Sequence, residues 1–278
     1  MENSRDPTNQ NLDELSAYIL LSEFRKPLMN SIIKSLDLPD GSKGLDAGCG
    51  IGVYTSLLAK VVGLKGFVIG LDISEEFISY ANKKNRENTE FIIGDINSLD
   101  HLQAESFDWI WSTDTVWVGP KELGCPSEKP KGILDGFYRL LKPRGVIFLL
   151  FWTSHKFLPG YPLLEAKLNT SSGATAPFVN GMPPMNHIMN AKNWLINSGF
   201  KDASAKTYVA DIKGPLDQNT RRVLQILFQM FWGEAEKTVS QEDWNKYENI
   251  TNPHSRENIL DRNHYYGFYT YTLFKGVK

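Results

Sequence analysis

A chain of 278 residues, 41% of them hydrophobic, is long enough to bury a sizeable core in one α/β domain, alone or with a cap. A formal net charge of -2 argues against a groove for nucleic-acid phosphates. Two cysteines, Cys49 and Cys125, give neither a disulfide framework nor metal-ligand spacing, and no apolar run reaches the roughly 18 residues of a membrane span, so a soluble, cytoplasmic protein without a bound metal is expected.

Met1 to Asn11 is polar, and residues 1–10 read as disordered. Leu12 to Leu36 carries apolar residues at Leu12, Leu15, Ile19, Leu20, Phe24, Leu28, Ile32 and Ile33, the spacing of a helix with one buried face. Pro27, which cannot donate a backbone hydrogen bond, is expected to break or kink that helix. The pattern then predicts strand 43–47, helix 53–62, strand 67–72, helix 75–85, strand 90–93 and a helical turn near 99–103. Strand 107–112, helix 131–141 and strand 145–152 follow. Such alternation implies parallel strands with helices on both faces. Ser154 to Pro184, rich in Pro, Gly, Ser and Thr, reads as an insertion after the fifth strand. Ala191 to Ser198 reads as a helix closed by Gly199, and Ala205 to Ile212 as a sixth strand. Leu216 to Arg262 is a second, mainly helical insertion, with Val223, Leu224, Leu227, Phe228 and Phe231 at helical spacing, and His264 to Phe274 is an aromatic, alternating last strand.

The most informative stretch is Leu45-Asp46-Ala47-Gly48-Cys49-Gly50-Ile51-Gly52, with glycines in strict alternation where a strand must turn into a helix. Alternate glycines let the backbone turn sharply and let a ligand approach it without side chains in the way. Asp72 follows after about 20 residues, at the end of the returning strand, where a carboxylate can accept hydrogen bonds from two ribose hydroxyls. The residues therefore point to a nucleoside-containing ligand at the C-terminal edge of a parallel sheet. Val53 stands where the dinucleotide fingerprint G-x-G-x-x-G needs its last glycine, which disfavours a nicotinamide-dependent dehydrogenase.

What remains, D-x-G-x-G-x-G, resembles the class I S-adenosylmethionine-dependent methyltransferases. Phe91-Ile92-Ile93-Gly94-Asp95 resembles that family's third strand and its acid, Phe107 to Ser112 its fourth strand, and Leu140 to Val146 the turn into its fifth. The resemblance covers about residues 40–152 closely. It implies a Rossmann-like, mostly parallel seven-stranded sheet with helices on both faces and helical lid insertions. Residues 1–40 would be an N-terminal helical cap, 41–152 the cofactor-binding core, 153–190 a lid insertion, 191–215 a continuation of the core, 216–262 a helical insertion and 263–278 the final strand. It further implies that Asp46, Gly48, Gly50 and Gly52 surround the methionine end of S-adenosyl-L-methionine and that Asp72 holds the ribose. Asp95 would contact the adenine amino group, and Ile73 and Ile96 would sandwich the ring. Ser112, with Thr113 and Asp114, would meet the cofactor's ammonium group, and Tyr18 or Arg25 from the N-terminal helix its carboxylate.

Plainer roles stand beside these: a helix cap for Asp72, a turn for Asp95, core packing for the isoleucines, a solvated loop after Ser112 and a surface position for Arg25. Methyl transfer asks mainly for alignment of the acceptor atom, so no triad is expected; an oxygen or nitrogen acceptor would want a base, for which His155, just past the fifth strand, ranks ahead of His187 and His264. Trp111, Trp117, Trp152, Tyr161 and Phe178 gather around the same rim. The reading is methyl transfer to a small-molecule acceptor by a monomer or homodimer, with no nucleic-acid or membrane partner. The alternative is a non-catalytic S-adenosylmethionine-binding partner protein.

Overall fold

The computed structural model describes residues 13–84, 86–119, 125–179 and 181–278; the expected disorder over 1–10 and the helical position of Leu12 lie outside them. Helix α1 (Glu14–Lys34) starts where the Asp13 carboxylate accepts from the Ser16 amide at 2.7 Å. It runs unbroken through Pro27, against the expected break. A proline in a helix interior costs about 3 kcal/mol. Here Leu21 before it and Met29, Ile32 and Ile33 beyond it are buried in one core, and their packing holds the two halves together.

The sheet contains β1 (Lys43–Ala47), β2 (Phe67–Asp72), β3 (Thr89–Ile93), β4 (Phe107–Thr113), β5 (Leu141–Lys156), β6 (Lys201–Lys213) and β7 (Tyr266–Val277). Their order is β3-β2-β1-β4-β5-β7-β6, with β7 antiparallel to both neighbours and the other pairings parallel. The seven-stranded, mostly parallel arrangement thus matches the expected fold class. Strand order reverses beside β1, which places the glycine turn at the switch point where open α/β sheets bind ligands.

Side chains alternate across the sheet and build a core on each face. Trp109, Trp111, Phe148 and Leu150 pack with α1, α2 (Val53–Val61) and α8 (Gln218–Trp232). Leu45, Leu71, Ile147 and Leu149 pack with α4 (Pro130–Leu140) and α7 (Ala191–Asn197). Helix α3 (Glu75–Asn82) adds Ile78 and Ala81 against Cys49 and Phe91. The expected insertions hold the short helices α5 (Pro162–Leu168) and α6 (Ala176–Val179), and a longer one, α9 (Gln241–Thr251).

Several boundaries differ from expectation. Residues 99–103 form turns rather than a helix, closed by the Leu102 amide on the Leu99 carbonyl at 2.9 Å. Helix α3 stops at Asn82 instead of residue 85. Strand β5 continues past Trp152 to Lys156 because β7 pairs with it as far as Lys156↔Phe268, so the segment expected as lid from 153 opens with sheet residues.

Candidate active site

The turn after β1 has Gly48, Gly50 and Gly52 at φ +78°, +53° and +76°, a left-handed backbone that side chains disfavour. The amides of Gly48 and Cys49 both donate to the Leu71 carbonyl, at 2.8 and 3.0 Å, and so anchor the turn to the end of β2. A Cβ at Gly48 would lie 2.1 Å from Thr115 Oγ1, and one at Gly52 would lie 2.6 Å from the Phe91 ring. At Gly50 it would meet no atom within 4 Å. Packing thus demands two of the glycines, and the third faces open space.

Asp72 closes on this turn. Its Oδ2 accepts from the Gly50 amide at 2.7 Å and its Oδ1 from the Ser74 amide at 2.9 Å. Each carboxylate oxygen keeps a lone pair for a further donor. Ile73, next along, is 71% exposed, an unusual position for a large apolar side chain beside a polar turn, whereas Ile96 is buried. Asp95 accepts from the Asn97 amide and its side-chain Nδ2 at 2.8 and 2.9 Å, a turn of its own making that leaves the residue only partly buried. Open backbone at Gly50, an acid hydrogen-bonded to it and an exposed apolar side chain beside that acid fit the ribose and base of an adenosine.

Asp46 is 1% exposed and accepts from Thr55 Oγ1 at 2.6 Å. Burial, together with the charge of Asp72, pushes its pKa up to about 7, against the opposing hydrogen bond from Thr55. The Ser112 side chain donates to the Ala47 carbonyl at 2.8 Å and joins β4 to β1, so its hydroxyl hydrogen is already used. Tyr18 of α1 packs on Phe77 of α3, ring centroids 4.6 Å apart, and burial followed by the negative charge of Glu14 raises its pKa, with Asp72 adding to the shift.

Arg25 occupies the interior rather than the surface. Its Nη1 donates to Tyr271 at 3.0 Å and pairs with Asp114 at 3.3 Å, and its Nε donates to the Leu21 carbonyl. Asp114, held at φ +50° just past β4, also accepts from the Tyr271 hydroxyl at 2.6 Å and the Trp152 amide at 2.7 Å. Burial raises its pKa, with Arg25, Tyr271 and the Trp152 amide opposing. One side chain therefore links α1, β4, β5 and β7.

His155 lies on the extended part of β5, stacked on Phe157 and Phe231 with centroids 4.7 and 4.5 Å away. Its Nδ1 accepts from the Trp152 indole at 3.3 Å. Tryptophan can only donate, so the proton of the neutral ring sits on Nε2, which is buried without a hydrogen-bond partner among the described residues. Burial lowers the His155 pKa to about 4, an effect that Asn169 offsets only in part. In this arrangement the Nδ1 lone pair is engaged by Trp152 and the ring turns an N–H to its buried side.

A family model described as "Methyltransferase domain" matches residues 38–178, just over half of the chain and the whole of the glycine turn and its acids. The chain belongs to the class I S-adenosylmethionine-dependent methyltransferases. Among curated relatives, a demethylmenaquinone methyltransferase of Staphylococcus epidermidis is 31% identical over 153 residues, 54% of this chain and 59% of its own length. That of Staphylococcus carnosus is 33% identical over 161 residues, 55% of this chain and 61% of its own. The chain thus spans about six tenths of the length of the curated relatives it matches. Of solved structures, the YcgJ protein from Bacillus subtilis aligns with a TM-score of 0.52 at 16% identity, covering 91% of this chain and 98% of its own. A methyltransferase-titled protein of Bacillus halodurans aligns at 0.51 and 15%, covering 90% and 98%. At such identities these two bear on the fold alone.

For a methyltransferase of this class, the structure brings Asp46, Gly48, Gly50, Gly52 and Asp72 to one turn, while the Ser112 hydroxyl and the Nε and Nη1 of Arg25 bond protein partners. Tyr271 is not legible in the sequence as a residue of this site. Tyr271 reaches Asp114 only because β7 lies beside β5, and nothing in the local sequence announces that.

Proposed function

We propose that this chain transfers a methyl group from S-adenosyl-L-methionine to a small-molecule acceptor. The observation that carries the reading is the Gly50 amide bonded to Asp72 at 2.7 Å beside backbone that is open to a ligand. When bound, the cofactor supplies an electrophilic methyl group on a sulfonium. Asp72 holds the ribose hydroxyls through its remaining lone pairs, Ile73 and Ile96 flank the adenine, and Asp95 faces its amino group. Asp46, Gly48, Gly50 and Gly52 shape the methionine end, with Tyr18 and Arg25 of α1 above it and Ser112 securing the strand beneath. Alignment of the acceptor is the main catalytic contribution asked of the protein. His155 enters as an aromatic wall rather than as a base.

The described residues of regions 13–40, 157–190 and 216–262 cap the core and choose the acceptor. Similarity to demethylmenaquinone methyltransferases supports a quinone-type ring compound as the first acceptor to try. No helix among the described residues is long and apolar enough to cross a membrane, and we propose a cytoplasmic location. The test is isothermal titration with S-adenosylmethionine and S-adenosylhomocysteine. Saturable micromolar binding that Asp72→Ala abolishes is expected, and absence of heat with both ligands refutes the reading.

A further inference from the structure

Three polar groups at the end of β4 and the start of α2 lack hydrogen-bond partners among the described residues although their atoms are buried: the Tyr54 hydroxyl, the Trp111 indole N–H and the Thr113 hydroxyl. Buried polar groups are nearly always paired, so these three ask for an explanation. Trp111 and Thr113 alternate on the same face of β4, and Trp111 lies opposite Asp46 in the β1–β4 register. Tyr54 packs against the same core cluster that contains Trp111. Its ionisation responds to Arg25, Asp114 and Asp46, so its hydroxyl lies within electrostatic range of all three.

The chemistry of these groups limits what can satisfy them. Trp111 can only donate. Burial, with the Arg25 charge opposing, pushes the Tyr54 pKa up to about 12, so at neutral pH it too offers a proton. The charges alongside are already committed: Arg25 is paired with Asp114, which takes two further donors, and Asp46 is bonded to Thr55. An ammonium brings only donors and would leave Trp111 unpaired. A phosphate would bring negative charge to two buried carboxylates. An uncharged hydroxyl or carbonyl oxygen meets both conditions.

Resting on the methyltransferase reading, we infer that Tyr54 is a specificity-determining residue for the methyl acceptor, its hydroxyl donating, beside Trp111 and Thr113, to an uncharged oxygen of that molecule. The acceptor class is then a hydroxyl- or carbonyl-bearing compound rather than a cationic amine or a phosphate ester.

The experiment loads the protein with S-adenosylhomocysteine and titrates it with 1-naphthol, naphthalene and the cationic 1-naphthylmethylamine. Wild type is expected to prefer 1-naphthol over naphthalene at least tenfold and to bind the amine more weakly than the naphthol. In Tyr54→Phe the preference for the naphthol falls to within twofold, while S-adenosylhomocysteine affinity stays within twofold of wild type. A merely structural role would weaken naphthol and naphthalene alike, so an unchanged ratio in Tyr54→Phe overturns the inference. So does an amine that binds as tightly as the naphthol, or a loaded protein that ignores the naphthol. Failure of wild type to take up S-adenosylhomocysteine is a different result and overturns the methyltransferase reading itself.

Discussion

Replacing Asp46 by asparagine should remove a loss of stability that the wild type suffers as pH rises. The carboxyl is 1% exposed, has Thr55 as its hydrogen-bond donor and feels the charge of Asp72, and its pKa rises from 3.8 to about 7. The folded protein therefore keeps a proton that the unfolded chain releases, and stability falls as pH rises between about 4 and 7. Each pKa unit is worth about 1.4 kcal/mol, so a shift of roughly three units loses up to about 4 kcal/mol across that window and no more above it. Asparagine has nearly the same shape, can still accept from Thr55 and does not ionise. Urea unfolding of wild type and Asp46→Asn at pH 5, 6, 7 and 8 isolates the effect, because titrations not coupled to Asp46 cancel in the difference. The variant should gain on the wild type steadily up to pH 7 and then hold level. A difference that stays flat from pH 5 to 8 refutes the reasoning.

Gly50→Ala should cost only about 1–2 kcal/mol of stability, for a side chain at φ +53° with open space around it, yet abolish S-adenosylhomocysteine binding by titration. Gly48→Ala adds a collision with Thr115 to a similar backbone penalty, so its thermal midpoint should fall well below that of Gly50→Ala; equal midpoints would contradict the packing argument. Arg25→Ala leaves Asp114 largely buried without its cation and should destabilise the fold by about 3 kcal/mol in urea, a loss that Asp114→Asn in the same chain partly restores.

The cofactor half of the fold could be read from the chain because its signals are local. The glycine turn, Asp72 and the β1–α2–β2 unit lie within one short stretch, and their periodicities announce each element at or near its true limits. Elsewhere, distant pairing decides. Nothing around Trp152 says that β5 goes on to Lys156, because the partner that extends it is β7. The same cause hid the environment of His155, whose ring is walled by Phe231 of α8, and the burial of Arg25, whose partners come from β4 and β7. Pro27 misled for a related reason: a propensity argument weighs one residue, whereas the helix is held by the apolar side chains on either side of it.

The position of β7 bears on how the protein is made. It sits between β5 and β6, yet it follows both in the chain, and its pairs run from Val146↔Val277 to Lys156↔Phe268 on one side and to Lys213↔Tyr266 on the other. During synthesis the long backbone edges of β5 and β6 must wait, unsatisfied, until residues 266–277 have left the ribosome. Unpaired edges of that length recruit other strands. Translation that stalls or stops short of Tyr266 should therefore yield a product prone to aggregate, even though the whole glycine turn and both of its acids are already in place.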